Sequence, residues 1–187
     1  MTAQTGIGVV GAGAIETVSR SLQLRNFGAS GDIVVNEAAA VGSLSISELT
    51  QNASTGWSII EAVSGSIAFT GPVTHLSDGA LWVQASGSIT TGFAAQVSLN
   101  GGLLTFLAGA SIDLDGDVST SGGDVWMRAG TGTLDMASGI ILDTGAGNIS
   151  ILANGNVVVA QVSTTGDVRI ESGSASILRA TLNDRTN

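Results

Sequence analysis

Apolar and polar positions alternate in short runs, and these runs recur about every 22 to 23 residues along the chain. The clearest unit is a small residue followed by x-apolar-x-apolar, found as Gly31-Asp-Ile-Val-Val, Gly79-Ala-Leu-Trp-Val, Gly102-Leu-Leu-Thr-Phe, Gly123-Asp-Val-Trp-Met, Gly147-Asn-Ile-Ser-Ile and Gly166-Asp-Val-Arg-Ile. Alternation with period two predicts short strands that each bury one face. Recurrence at this length predicts a stack of similar coils rather than a globular core.

Two further ladders run in step with the first. The second opens at Gly42, Gly65, Gly87, Ala110, Gly132, Gly155 and Ser174, and a weaker third opens at Gly71, Gly92, Gly116 and Gly139. Three short strands per period, each opened by a turn residue, describe one triangular coil. Asn-Gly and Asp-Gly turns do occur, as a sandwich of hairpins would require, but the fixed period favours coils. We therefore predict an all-β fold, a parallel β-solenoid of about eight coils with three short strands each.

The glycine-rich segment Gly6–Gly13 also resembles the turn that binds dinucleotides, because its glycines have the G-x-G-x-x-G spacing. A helix over residues 14–25, directly after that turn, would be amphipathic. No alternation of helices and strands is predicted after residue 40, so nucleotide binding is the less favoured interpretation. We expect residues 1–30 to form the first coil or an N-terminal cap, with a capping helix near residues 14–25 as one form of that cap. Residues 31–187 are expected to form the repeats.

Composition favours a polar, weakly charged exterior of the kind found outside the cell. Six basic residues face fifteen acidic ones, which gives a net charge of −9, and lysine and cysteine are absent. An acidic, lysine-free surface argues against nucleic acid or an anionic membrane as a partner. No apolar run is long enough to cross a bilayer. The first four residues resemble no signal peptide, so we expect either an excised segment of a longer exported protein or a mature form.

The repeats Gly147-Asn-Ile-Ser-Ile, Gly155-Asn-Val-Val-Val and Gly65-Ser-Ile-Ala-Phe resemble those of filamentous-haemagglutinin-type exoproteins and autotransporter passengers. The resemblance covers about residues 31–178 and lies in composition and period. It implies a right-handed parallel β-helix, secretion across a bacterial outer membrane, and a role in adhesion or in surface fibres.

A group of aspartates is the candidate metal site. Asp113, Asp115, Asp117 and Asp124 follow the spacing of a calcium-binding loop, although the glycine and the final glutamate of such a loop are missing. Asp135 occupies the outward position of Asp113 one coil later. Carboxylates stacked about 5 Å apart repel each other unless a cation or water screens them. We therefore name Asp113, Asp115, Asp117 and Asp135 as a calcium candidate, with a solvated outer face as the favoured alternative and no other cofactor expected.

Two tryptophans define a candidate contact face. Trp82 and Trp126 fall on the outward position of the first ladder, two coils apart, with Thr105 between them and Arg128 close by. Flat aromatic side chains on a polar face commonly mark contact with sugars or with another protein. We predict that these four residues contact a ligand or another copy of the chain. Trp57 belongs to the copy of the first-ladder unit between Gly31 and Gly79, whose starting residue the sequence fixes only to within one position. We expect its side chain to point into the core.

Corner positions are expected to be structural. Asp32, Asp124, Asn148 and Asp167 open equivalent strands, where we expect their side chains to hydrogen-bond to turn backbone. His75 lies in the one corner that contains proline, and no nucleophile or orienting acid stands at catalytic spacing from it, so we assign it no catalytic role.

These observations predict a non-enzymatic, secreted structural or adhesive rod at the bacterial cell surface. In one version, coil ends stack head to tail and copies of the chain assemble into extracellular filaments. The expected partners are therefore the chain itself and host or matrix glycans. The alternative is a carbohydrate-active or glycan-binding β-helix protein, which requires a groove and, for hydrolysis, a pair of acids within it.

Overall fold

The computed structural model describes residues 1–11, 13–37, 42–76, 78–173 and 175–179, so Ser174 of the second ladder lies outside the described part. The strands are β1 (Thr2–Ala3), β2 (Ile15–Thr17), β3 (Ser21–Asn26), β4 (Ile33–Glu37), β5 (Leu44–Gln51), β6 (Ser58–Ala62), β7 (Ile67–Phe69), β8 (Val73–His75), β9 (Leu81–Ala85), β10 (Ile89–Thr91), β11 (Val97–Leu99), β12 (Leu104–Ala108), β13 (Ile112–Leu114), β14 (Val118–Ser119), β15 (Val125–Ala129), β16 (Leu134–Met136), β17 (Ile141–Gly145), β18 (Ile149–Ala153), β19 (Val157–Val159), β20 (Gln161–Thr164), β21 (Val168–Ser172) and β22 (Ile177–Arg179).

These strands form three sides of a prism. Side 1 is a parallel sheet in the order β2-β4-β6-β9-β12-β15-β18-β21. The long strand β5 pairs with β7 through its first half and with β8 through its second half. Side 2 continues from there as β7-β10-β13-β16-β19-β22, and side 3 as β8-β11-β14-β17-β20. The predicted parallel β-solenoid with three strands per coil is therefore confirmed.

The described strands make about seven turns, where the sequence period predicted about eight. That expectation divided the whole chain length by the period and so included residues 180–187, which lie outside the described part. No described residue belongs to a helix that could cross a membrane.

The core is one apolar column that runs along the inside of the prism. On the strands of the central coils the inward residues are buried and their neighbours face outward, as in Ile112, Asp113 and Leu114. Phe69 from side 2 and Phe106 from side 1 stack across the interior, with ring centroids 6.0 Å apart and an interplanar angle of 10°. Each large side chain buried in this way contributes about 1.5–3 kcal/mol of gross stabilisation, which neighbouring coils share.

A glycine column fixes the register of side 1. From Gly56 onward, the glycine that opens each first-ladder unit lies against the carbonyl of the equivalent glycine one coil earlier, so an ideal Cβ on Gly102 would lie 2.0 Å from the oxygen of Gly79. Only glycine permits such an approach of two backbones. The column includes Gly56, whose Cβ would lie 2.6 Å from the oxygen of Gly31. The first-ladder unit around Trp57, whose starting residue the sequence left uncertain by one position, therefore begins at Gly56.

The capping helix proposed for residues 14–25 is wrong, because this segment forms β2 and β3. Each strand pairs with the next coil, β2 with β4 and β3 with β5, and these ladders override the helical spacing of the local apolar residues. The dinucleotide interpretation also fails, since it needs a helix directly after the glycines.

Instead, residues 9–11, 13 and 14 interrupt the first strand of side 1. Ile7 bridges to Ile33 before the interruption, and Ile15 pairs with Val35 after it. Gly8 allows the chain to leave the sheet, because its φ is +71° and a Cβ there would lie 2.5 Å from the oxygen of Val34. We call residues 9–11, 13 and 14 the N-terminal loop.

Corner side chains link successive coils, as predicted. Asp124 Oδ1 accepts a hydrogen bond from the backbone N–H of Asn148 at 2.7 Å. In the next coil, Asn148 Oδ1 accepts one from the backbone N–H of Asp167 at 2.9 Å. Asp32 Oδ1 accepts from the Trp57 amide in the same way at 2.9 Å. These bonds satisfy backbone donors at bends where the ladder is interrupted.

Candidate functional site

The two predicted tryptophans lie on one outward row of side 1. Trp82 pairs with Thr105 and Thr105 pairs with Trp126 in the parallel ladder, so the register inferred from sequence is confirmed. Trp126 is 41% exposed, whereas Thr105 is fully buried although it points outward. The flanking indoles therefore cover Thr105. Its Oγ1 has no hydrogen-bond partner among the described residues.

A second outward row runs beside the tryptophans. Arg128 pairs with Leu107, Leu107 with Gln84, and Gln84 with Glu61. The four side chains line a groove of about 520 Å³ that follows the axis of the rod. At about 4.8 Å per coil, the row spans roughly 14 Å. Arg128 thus shares a face with Trp126, as predicted, and the groove carries one charge of each sign at its two ends.

The corner beside the groove is built from small residues. Ala62, Ala85, Ala108 and Ala129 stack in register at the ends of their strands. Gly109 follows Ala108 and lines the groove as well. Val63, from the same corner, also lines the groove.

The N-terminal loop covers a second cavity at one end of this groove. The cavity has a volume of about 290 Å³ and is lined by Val10, Gly11, Ala14, Val34, Asn36, Ile59, Glu61 and Trp82. Val34 points outward yet is only 4% exposed, which is the burial expected beneath the loop. Asn36 Oδ1 is buried and has no hydrogen-bond partner within the described ranges. Glu61 lines both the cavity and the groove, so the two lie on either side of this residue. The sequence did not reveal this cavity, because the loop was interpreted as a coil or a cap.

The four aspartates of the calcium candidate lie on sides 2 and 3. Asp113 pairs with Asp135 in the ladder, as the outward positions predicted. Burial, and then the nearby carboxylates of Asp115 and Asp135, raise the pKa of Asp113. The Oδ1 of Asp117 accepts a hydrogen bond from the backbone amide of Ile141 at 2.9 Å. Among the described residues, no three acidic or histidine side chains are grouped to hold a metal ion.

Trp57 does not point into the core, which corrects the prediction. It is 44% exposed, and Ser58 takes the buried inward position in register with Ile33 and Leu81. The glycine column sets this phase, because Gly56 must lie over Gly31. Trp57 therefore adds an exposed aromatic side chain at a corner of side 1.

His75 belongs to a buried polar column that sequence reasoning missed. Asn26, Gln51 and His75 pair in successive coils of side 3, and all three are buried. The Nδ1 of His75 donates to the Gly79 carbonyl at 3.1 Å, and Gln51 Nε2 donates to the Gly31 carbonyl at 3.2 Å. Burial lowers the pKa of His75 to about 4. The imidazole is therefore neutral at pH 7 and secures the corner before side 1.

The last described coil leaves apolar side chains on the surface. Val168 is 48% exposed, Ile177 52% and Leu178 46%. Strands β20 and β22 are the terminal strands of their sheet and β21 is the terminal strand of side 1, so within the described residues each has one unpaired edge. Unpaired parallel strands of this kind are templates for further pairing.

The chain has no significant match to a protein-family model, to a curated protein or to a solved structure. The resemblance to filamentous-haemagglutinin-type repeats therefore rests on the pattern of the repeats and on the β-solenoid that they form.

Proposed function

We propose that this chain is a non-enzymatic structural and adhesive rod of a secreted bacterial surface protein. Side 1 is its contact face, and stacking between coil ends joins copies into extracellular filaments. The observation that carries this proposal is the outward row Trp82–Thr105–Trp126, because a large aromatic side chain held in register on a regular sheet provides a rigid, amphipathic contact surface.

The coil ends support the filament version. The exposed side chains of Val168 in β21 and Ile177 in β22 continue the buried column, because they are in register with the buried Ile149 and Val157. A second copy that placed its first coil on this end would extend both the hydrogen-bond ladders and the apolar column. The contact is heterologous, so it leaves the same end free on the added copy and generates a fibre.

Electron microscopy of the purified chain tests the filament version directly. Unbranched filaments whose number rises with protein concentration are the expected result. A charged substitution at the terminal coil, Ile177→Lys, should shorten or abolish them, because a lysine cannot be buried in an apolar column without a partner. Monodisperse short rods at all concentrations, shown also by sedimentation velocity, would contradict end-to-end assembly.

A substitution at Trp126 tests the contact face. Trp126→Ser copies Ser150, the residue in the same row one coil later. Burial of the exposed part of an indole, about 60–100 Å², is worth about 1.5–2.5 kcal/mol, so self-association or surface binding should weaken about tenfold or more. Phe93→Ser is the matched control, since Phe93 is 88% exposed elsewhere on the rod. Equal losses in the two variants would show that any exposed aromatic residue suffices.

A further inference from the structure

The charged residues in the central part of side 1 are arranged symmetrically about its middle. Side 1 has eight strands, and β9 and β12 are its two middle strands. In the second outward row, Glu61 lies on β6, next to β9, and Arg128 lies on β15, next to β12. They are the two charged residues that face outward on these four strands. Turning side 1 end over end therefore exchanges an acid for a base.

Glu61 and Arg128 have no ion-pair partner of their own among the described residues. Three coils separate them, or roughly 14 Å at about 4.8 Å per coil, whereas the charged atoms of an ion pair lie within about 4 Å of each other. Arg128 is exposed, and Glu61 is partly exposed. Both side chains are therefore available to a charged group on another molecule.

A second copy of the chain offers these charges in the required order. A two-fold rotation about an axis that lies between β9 and β12, parallel to both strands, places side 1 of a second copy face to face with side 1 of the first. This rotation keeps each outward row opposite the same row and reverses the order of the coils. Glu61 of each copy then faces Arg128 of the other. The contact is isologous, so the ion pair forms twice.

The same rotation keeps the tryptophans of the two copies from colliding. In the first outward row, Trp82 of one copy faces Thr105 of the other, and Trp126 faces Ile59. Each of the four central coils then has one indole at its level, supplied by the two copies in alternation. Trp82 of the second copy rests on the indoles that cover Thr105, and Trp126 lies opposite the cavity that Ile59 and Val10 line. Large aromatic side chains in such contacts commonly supply most of the energy of an interface.

The whole of side 1 takes part, because the axis passes through the middle of the sheet. Eight strands at about 4.8 Å, with up to five residues each at about 3.3 Å, give a face of about 600 Å² per copy, or about 1,200 Å² in total. At each end, Glu16 of one copy faces Glu171 of the other, and the ion pair of Glu171 with Arg169, at 2.7 Å, offsets the repulsion. The area is at the lower end of the range for stable interfaces, so a dimer of moderate affinity is expected.

We propose that side 1 binds side 1 of a second copy of the chain, face to face and with the two rods antiparallel. The reciprocal ion pairs between Glu61 and Arg128 set the orientation and the register, and the alternating indoles of Trp82 and Trp126 supply the buried surface. Within an assembly, the same contact joins neighbouring filaments side by side. This inference rests on the proposed role of side 1 as the contact face and names the partner of that face.

Sedimentation equilibrium of the full chain with Ile177→Lys tests the inference, because that substitution should block end-to-end stacking and leaves side 1 unchanged. Glu61→Arg and Arg128→Glu each convert two attractive contacts into two repulsive ones, and each should weaken dimerisation by at least about tenfold. The double variant exchanges the two charges and keeps the net charge, and it should recover the original affinity to within about threefold. An equimolar mixture of the single variants should form heterodimers, because both of its contacts are again attractive. Ser98→Arg, at an outward position of side 3, is the control and should leave dimerisation unchanged.

Three results would overturn the inference. These are monomers at every concentration, dimers that both single reversals leave intact, and a loss of dimers that neither the double variant nor the mixture recovers. Each variant must first show the circular dichroism spectrum of the wild-type chain. Should Ile177→Lys unfold the chain, side-by-side bundling of wild-type filaments under the electron microscope replaces the titration, with the same variants and the same expected order.

Failure of this inference is distinguishable from failure of the proposed function. Monomers in the Ile177→Lys chain, together with filaments of the wild-type chain, would refute the lateral contact and leave the structural rod standing. Monomers whose attachment to a surface still depends on Trp126 would assign side 1 to a different partner and refute the pairing. Dimers without any wild-type filaments would support the pairing and refute end-to-end assembly.

Discussion

Replacing Gly102 by alanine should destabilise the stack of coils, because no space exists for a Cβ. An ideal Cβ at this position would lie 2.0 Å from the carbonyl oxygen of Gly79 and 2.7 Å from the attached carbon. Favourable contact between such atoms needs about 3.5 Å, so the two coils would have to separate locally by more than about 1 Å. The clashing oxygen belongs to the backbone, so no change of side-chain rotamer can relieve the contact.

The size of the effect follows from what such a separation disrupts. The ladder beside the clash includes the hydrogen bond from the Leu81 amide to the Leu103 carbonyl at 2.9 Å. Loss of one or two such bonds costs about 0.5–1.5 kcal/mol each, and overpacking adds about 1–3 kcal/mol. Alanine also restricts the unfolded chain more than glycine does, and this lower conformational entropy offsets the loss of stability by about 0.4–1 kcal/mol. The expected loss in the free energy of unfolding is therefore about 0.5–5.5 kcal/mol.

Gly92→Ala is the matched control. The nearest atom to an ideal Cβ there is the Phe69 oxygen at 3.6 Å, which is ordinary contact. The control should match the wild type or gain up to about 1 kcal/mol. Urea unfolding followed by far-ultraviolet circular dichroism gives the comparison, with midpoints used because repeat proteins can unfold in parts. Equal midpoints for Gly102→Ala and Gly92→Ala would refute the glycine column.

Three other substitutions have defined outcomes. Because burial lowers the pKa of His75 from 6.5 to about 4, the unfolded chain binds a proton at higher pH than the folded chain. The free energy of unfolding should fall by up to about 3 kcal/mol between pH 6.5 and 4, and urea titrations of His75→Gln should lack this loss. Asp113→Asn should raise the free energy of unfolding at pH 7 by about 0.2–1 kcal/mol, because it removes the repulsion between Asp113 and Asp135. If added CaCl₂ stabilises the wild-type chain against urea but not this variant, the result would instead support the calcium candidate. Thr105→Val should raise the thermal midpoint, since it removes a buried hydroxyl that lacks a partner among the described residues, and a lower midpoint would contradict this.

Period-two alternation was sufficient to predict the solenoid, because each strand has one buried face and each coil repeats it. The same logic placed Trp82, Thr105 and Trp126 in one row, since the register of parallel strands follows directly from the repeat. It also identified the aspartate and asparagine corners. These features depend on local pattern and on spacing, both of which a single sequence contains.

Other features depend on contacts that no local pattern encodes. Trp57 is more apolar than Ser58, so hydrophobicity alone favours it for the inward position, but the backbone contact between Gly56 and Gly31 fixes the opposite phase. The helical spacing within residues 14–25 is genuine, yet pairing with β4 and β5 overrides it. His75 lies in a polar column only because its corner stacks on Gln51, a residue in a different coil.

Function in such a rod should be sought where the repeat is broken on its outer surface. Inward positions are constrained by the column and corners by the glycine contacts, so outward positions are those that can vary without cost to the fold. On side 1 the departures from small polar residues fall close together: the N-terminal loop, Trp82, Trp126, and the charged pair Glu61 and Arg128 at the two ends of the groove. Their proximity on one face, beside the groove and the N-terminal loop, is the pattern expected if that face makes specific contacts of the rod.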